Sequence, residues 1–218
     1  MSTATLVIGE TGTGKSTSYR NMNPQETLLI QAIDKPLPFK ADGWARWTPD
    51  TKGNIFVTDK AAEIQALCLG TKRKIIIIDD FQYVMANEFM RRSAEKGYEK
   101  FTEIGRNAWD ILTMASALPR DVRVYLLSHS DTNDAGRVKA KTIGRMLDEK
   151  ITVEGMFTIV MRTVVRDGEY LFSTRNNGSD TVKTPMGMFA DELIPNDLQA
   201  VDTIISNYYP ASSASVPK

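Results

Sequence analysis

The sequence predicts an α/β fold: a mainly parallel central sheet, helices on both faces and a C-terminal β-hairpin. Three observations carry this. A β-branched run, Thr3 to Ile8, leads through the glycine-rich segment Gly9-Glu10-Thr11-Gly12-Thr13-Gly14-Lys15-Ser16-Thr17 into a helix-compatible stretch ending near Met22. The run Ile75-Ile76-Ile77-Ile78 is continuously apolar and ends in Asp79-Asp80, as expected of a parallel strand covered on both faces. Met156 to Arg166 and Glu169 to Arg175 alternate and are joined by Asp167-Gly168, a strong hairpin signal.

The remaining elements follow in order. Thr27 to Ile33 predicts a second buried strand, stopped by the two prolines of Asp34-Lys35-Pro36-Leu37-Pro38. Asn54 to Thr58 predicts a short strand, and Asp59 can cap a helix through Leu69 with Gly70 as its stop. Tyr83 to Leu118 predicts two helices, broken near Gly97 or Gly105 and ended by Pro119. Val122 to Ser128 predicts a strand terminating at His129-Ser130-Asp131. Asp131 to Ala140 reads as a mobile loop, and Thr142 to Glu149 fits either helix or loop. Asp197 to Tyr208 predicts a terminal helix. The organisation expected is a core over residues 1–195, a C-terminal helix over 196–210 and a disordered tail over 211–218.

Composition bounds the function. The 218 residues are 42% hydrophobic and 25% charged, enough for one domain with a real core. The 27 basic residues match 27 acidic ones, so contact with nucleic acid needs a local basic patch. One cysteine, Cys68, and one histidine, His129, allow neither an internal disulfide nor a Cys/His metal site. No apolar run is long enough to span a bilayer, and the first ten residues lack a signal-peptide pattern. The expectation is a cytoplasmic chain with no membrane role.

Gly9 to Ser16 fits G-x-x-x-x-G-K-[ST]. Glycines let backbone N–H groups wrap phosphates, and a following helix N-terminus adds positive potential. Within Gly9, Glu10, Thr11, Gly12, Thr13, Gly14, Lys15, Ser16 and Thr17, Lys15 is expected to reach the β- and γ-phosphates and Ser16 to offer its hydroxyl to Mg²⁺. Asp79 is the second half of the metal signature, accepting from Ser16 or a magnesium-bound water. Hydrolysis also needs a carboxylate to orient water, for which Asp34 and Asp80 compete. His129, with Ser128 beside it, ends a strand expected between the phosphate-loop strand and the Asp79 strand, where a polar group can sense the γ-phosphate.

GETGTGKST, IDKPLPFK, IIIIDDF, VYLLSHS, TIGRMLDEK, GEYLFSTRNNG and KTPMGMF together resemble the short RecA-core ATPases of bacteriophages, a group including single-strand annealing and recombinase-like proteins. The resemblance covers roughly residues 3 to 195. It implies a RecA-like P-loop core that hydrolyses ATP with Mg²⁺, in the host cytoplasm. It also implies an oligomer that acts on single-stranded DNA with recombination or replication proteins. Asp34 matches the RecA-type base position and Asp80 the AAA+ position, and the RecA-like remainder favours Asp34. The chain shows no N-terminal polymerisation domain before its loop, and Asp34 is one methylene shorter than the usual glutamate, so slow hydrolysis and assembly by core contacts are expected departures. Arg175 and Lys183 match basic residues that complete a neighbour's site, and Arg137, Lys139, Lys141 and Arg145 match a DNA-binding loop. Two other readings stand beside this one: a nucleotide-switched loader module with slow hydrolysis, and a small-molecule kinase with 137–145 as its lid.

Overall fold

The computed structural model describes residues 1–144 and 146–210. Among these, nine strands form one mixed sheet: β1 (Thr3–Gly9), β2 (Thr27–Gln31), β3 (Ile55–Val57), β4 (Ile75–Asp79), β5 (Arg123–Thr132), β6 (Val138–Ala140), β7 (Ile159–Arg166), β8 (Glu169–Ser173) and β9 (Leu193–Pro195). Their order is β3-β2-β4-β5-β1-β7-β8-β9, with β6 attached to β5. The six strands from β3 to β7 are parallel; β8 runs against β7, β9 against β8 and β6 against β5.

Alternation along the strands builds two cores. Ile76 and Ile78 of β4, with Leu6 and Ile8 of β1, face α1 (Ala61–Gly70), α2 (Gln82–Arg91) and α3 (Glu99–Ala117). Ile75, Ile77 and Val7 point the other way, onto Tyr19, Met22, Trp44 and the apolar stripe of α4 (Leu198–Tyr208). Ile75 to Ile78 are at most 1% exposed. Burial on both faces contributes about 1.5–3 kcal/mol per side chain, which explains why a strand this apolar sits at the centre. The same alternation turns Asp79 toward the face of Ile75 and Ile77.

Helix boundaries have local causes. Gly97, at φ +92°, takes the left-handed conformation that separates α2 from α3. Gly105, by contrast, lies inside α3, where an added Cβ would stand 2.5 Å from the Met146 methyl, so it marks close packing rather than a break. Asp197 caps α4 by accepting from the amides of Gln199 (2.9 Å) and Ala200 (3.4 Å). Asp202 then ties α4 to β5 by accepting from the Tyr125 hydroxyl and the Arg123 guanidinium, so the terminal helix closes one face of the core.

Several expectations need correction. The glycine-rich segment is followed by one 3₁₀ turn, Ser16–Tyr19, and no longer helix. Residues 131–140 form a hairpin, not a mobile loop. The Asn133 side chain accepts from the amides of Ala135 and Arg137, Gly136 supplies φ +75°, and β6 pairs with Ser130 to Thr132. Val153–Met156 is a further 3₁₀ turn, so β7 begins at Ile159, and Met146–Lys150 form a π-helical turn. The tail over 211–218 lies outside the described residues.

Candidate functional site

β1 delivers the chain to the carboxyl edge of the sheet at Gly9. A Cβ there would lie 1.8 Å from the Thr163 hydroxyl oxygen on neighbouring β7, so only glycine fits. Thr13 and Thr163 share a 2.6 Å hydrogen bond across this point, which pins the loop to β7. Gly12 and Gly14 take φ of +81° and +91°, turning the backbone into a concave path. The Thr13 amide donates to the Glu10 carbonyl (3.4 Å), whereas those of Gly12, Gly14 and Lys15 meet no carbonyl among the described residues. Such unpaired amides are the donors an anion cradle needs.

The Lys15 ammonium folds back onto the Gly9 and Glu10 carbonyls, at 2.9 and 2.7 Å. Burial lowers its pKa to about 8, although Asp80 and Asp79 pull it upward. With only a four-residue 3₁₀ turn behind it, the loop has Lys15 and backbone N–H groups to offer an anion, and no helix dipole. The cleft above is about 440 Å³ and extends from Asp80, Lys35 and His129 across Lys15 to Tyr170.

Asp79 ends β4 and is buried. Its carboxylate accepts from the Ser16 hydroxyl (3.1 Å) and the Tyr19 hydroxyl (2.9 Å), residues 63 and 60 positions away in the chain. Burial, reinforced by the Asp80 charge, raises its pKa above the usual carboxylate range. Tyr19 is a site residue missed from sequence. Its ring is deep in the core against Phe39 and Trp44, and no local pattern shows that its hydroxyl meets a carboxylate 60 residues on.

Asp80 follows with φ +60°, a left-handed conformation rare outside glycine. Such strain persists only where surroundings fix it. Here the Lys35 ammonium forms an ion pair with Asp80, and the His129 ring nitrogen Nε2 stands 3.5 Å from the same carboxylate. Burial would raise the Asp80 pKa, but the contacts from His129 and Lys35 hold it below the ordinary value. The other ring nitrogen of His129 is 3.5 Å from the Thr11 hydroxyl, and Tyr83 packs edge-on against the ring at 5.7 Å. His129 therefore bridges the loop and Asp80. β5 carries it and lies between β1 and β4, as the sequence reading placed it. Lys35 was also missed; its signal was Pro36, which holds the preceding residue extended and aims it along the cleft wall.

Other candidates fall elsewhere. Asp34 is exposed, ion-paired with Arg46 and absent from the cleft lining, because the chain turns outward three residues after β2. That exposed Arg46 pair holds its pKa low. The Arg175 guanidinium donates to the Phe189 and Ala190 carbonyls of its own chain. Lys183 pairs through its backbone with Val160, level with the start of β7 and away from the carboxyl edge, and its side chain is exposed. Arg137 donates to the Asp180 carbonyl (2.8 Å), and Lys139 and Lys141 lie on or just beyond β6. Arg145 lies outside the described residues.

A larger groove, about 950 Å³, opens at the opposite end of the sheet among Glu26, Lys72, Arg73, Lys74, Asp121 and Arg123. Ligands of open α/β sheets bind at the carboxyl ends of the strands, which favours the smaller cleft. Among the described residues no three His, Cys, Asp or Glu side chains gather as a metal cage. Among the described residues no helix is long and apolar enough to cross a membrane. The fold and cleft define an α/β protein with a mostly parallel mixed sheet and a polar site at its carboxyl edge. No protein-family model matches the chain, and no curated protein matches it significantly.

Proposed function

We propose that this chain is a RecA-like P-loop ATPase that binds ATP with Mg²⁺ in the Gly9–Ser16 cleft, hydrolyses it and acts on single-stranded DNA as an oligomer. The observation that carries the reading is the 3.1 Å contact from the Ser16 hydroxyl to Asp79. It joins the end of the glycine-rich loop to the acid that ends a central strand. One hydroxyl backed by one carboxylate fits Mg²⁺, an ion that keeps several waters and takes its remaining ligands from phosphate oxygens. When bound there, Mg²⁺ neutralises phosphate charge.

The chain's own residues have separable tasks. Lys15 turns from the Gly9 and Glu10 carbonyls to the phosphates, and the amides of Gly12, Gly14 and Lys15 donate to them. Ser16 would offer its oxygen to the ion, and Asp79, held by Tyr19, would accept from Ser16 or a water on the ion. Asp80 is assigned the attacking water in preference to Asp34, because it lines the cleft beside His129. Lys35 keeps Asp80 ionised, and His129 links it to Thr11 over the terminal phosphate.

The hairpin formed by β5 and β6 supports the DNA part of the reading. It extends β5 directly from His129 and carries Arg137 and Lys139, with Lys141 at its base. The phage-type motifs support a place in recombination or replication. The test is phosphate release with and without Mg²⁺ and single-stranded DNA, for the native chain and Asp79→Asn. Mg²⁺-dependent release that DNA stimulates and Asp79→Asn abolishes is expected. Release requiring a phosphoryl acceptor would point to a kinase, and nucleotide binding without turnover to a switch module.

A further inference from the structure

We propose that the cleft selects adenine, with Tyr170 stacking on the base and the Asn196 side-chain amide reading its edge; this rests on the nucleotide-binding reading above. Asn196 is 4% exposed, and neither its amide nitrogen nor its side-chain oxygen has a hydrogen-bond partner. Buried amides are normally bonded, so an orphan pair beside a cleft marks a place where a ligand supplies the partner.

The position fits that purpose. Asn196 is held through its backbone, its amide donating to the Tyr170 carbonyl (3.1 Å) and its carbonyl accepting from Arg20 (2.7 Å). Its side chain is thus the part left unbonded. A Cβ added to Gly14 would meet both the Tyr170 ring (2.9 Å) and the Asn196 side-chain oxygen (3.3 Å), so the Asn196 amide lies directly behind Gly14 and Tyr170, which line one end of the cleft, and a base reaches it when the Tyr170 ring swings aside. Tyr170 is 52% exposed, and its ring can leave this contact more freely than the buried amide can.

Distance along the sheet agrees. From β5, which carries His129, to β8, which carries Tyr170, there are three strand spacings, about 14 Å at 4.7–4.9 Å each. Tyr170, level with Val165, also stands two residues further along the strands than Gly9 and His129, about 7 Å, so a ligand touching both ends must be extended, as a nucleoside triphosphate can be. The chemistry then chooses the base. An amide offers one donor and one acceptor, which pair with the N6 amino group and N7 of adenine; guanine presents two acceptors, O6 and N7, at the same edge.

Calorimetric titration with ATP, GTP and inorganic tripolyphosphate, all with Mg²⁺, tests this. The native chain should prefer ATP to GTP by about tenfold or more, and Asn196→Ala should bring the two within about threefold. Tyr170→Ala should weaken ATP about tenfold while tripolyphosphate stays within about twofold, and Tyr170→Phe should recover most of the loss. Retained tripolyphosphate binding also shows that each variant is folded. Equal native affinity for ATP and GTP, or loss of ATP and tripolyphosphate together in Tyr170→Ala, overturns the proposal. A native chain that binds neither compound overturns the phosphate-loop reading itself.

Discussion

In the proposed site the chemistry turns on Lys15 and Asp80, and each is held out of its ordinary state. Burial brings the Lys15 pKa to about 8, so a growing share of it is neutral above that pH in the free protein. Phosphates favour the ammonium, and ATP binding near pH 8.5 should therefore take up a proton, while binding near pH 6.5 takes up none at Lys15. Titration in buffers of different ionisation enthalpy checks this, and Lys15→Arg, always charged, should abolish the uptake. Asp80→Asn should lower hydrolysis about 10²-fold or more with ATP binding retained. Asp34→Asn should change little, since it breaks only an exposed, solvent-screened ion pair away from the cleft. The two variants are read side by side by phosphate release. In the sequence, Asp34 and Asp80 competed for the water because both follow an apolar run, and the RecA-like resemblance put Asp34 ahead. What separates them is the outward turn after β2 and the packing of Lys35 against Asp80, neither of which a local pattern contains.

At the scale of elements, the hairpin of β5 and β6 was read as a mobile loop because its residues are polar and it carries turn signals. Its order comes from long-range partners. The Val138 amide donates to the Ser179 carbonyl (2.8 Å), and buried Glu154 accepts from the Ala140 amide (2.6 Å). By contrast, the strand at Ile75 to Ile78 and the Asp167-Gly168 hairpin were legible because their signals are local: continuous burial in one, backbone conformation in the other. The short 3₁₀ turn after the loop was not legible, since Ser18 and Tyr19 are buried by contacts remote in sequence. If the hairpin contacts DNA, Lys141→Ala should weaken single-stranded DNA of any sequence alike. It should also reduce the slope of log affinity against log salt by about one unit or less. Fluorescence anisotropy across a salt series measures both; an unchanged slope would place DNA elsewhere.

The whole molecule presents its cleft at one open edge of the sheet, so phosphate charge opposite Lys15 faces solvent in a single copy. A second copy completing the site is the expectation attached to Arg175 and Lys183. Arg175 is engaged with its own chain's carbonyls and would have to be released, whereas the exposed Lys183 would not. Lys183→Ala should bind ATP normally and lose turnover, and mixing it with Lys15→Ala should restore part of the activity. Turnover per chain that does not change with protein concentration down to a monomer would show the site complete within one copy. The turn of the glycine-rich segment was legible in the sequence, because the positive φ at Gly12 and Gly14 follows from residue type almost without the fold. The Ser16 and Asp79 pairing needed the alternation of β4 to turn the carboxylate toward the loop. The most direct test of the central claim is calorimetric titration of Mg²⁺-ATP into the native chain and Lys15→Ala, with thermal melts run in parallel. Binding to the native chain, lost in Lys15→Ala without a fall in melting temperature, is expected; equal binding by both, or none by either, would contradict it.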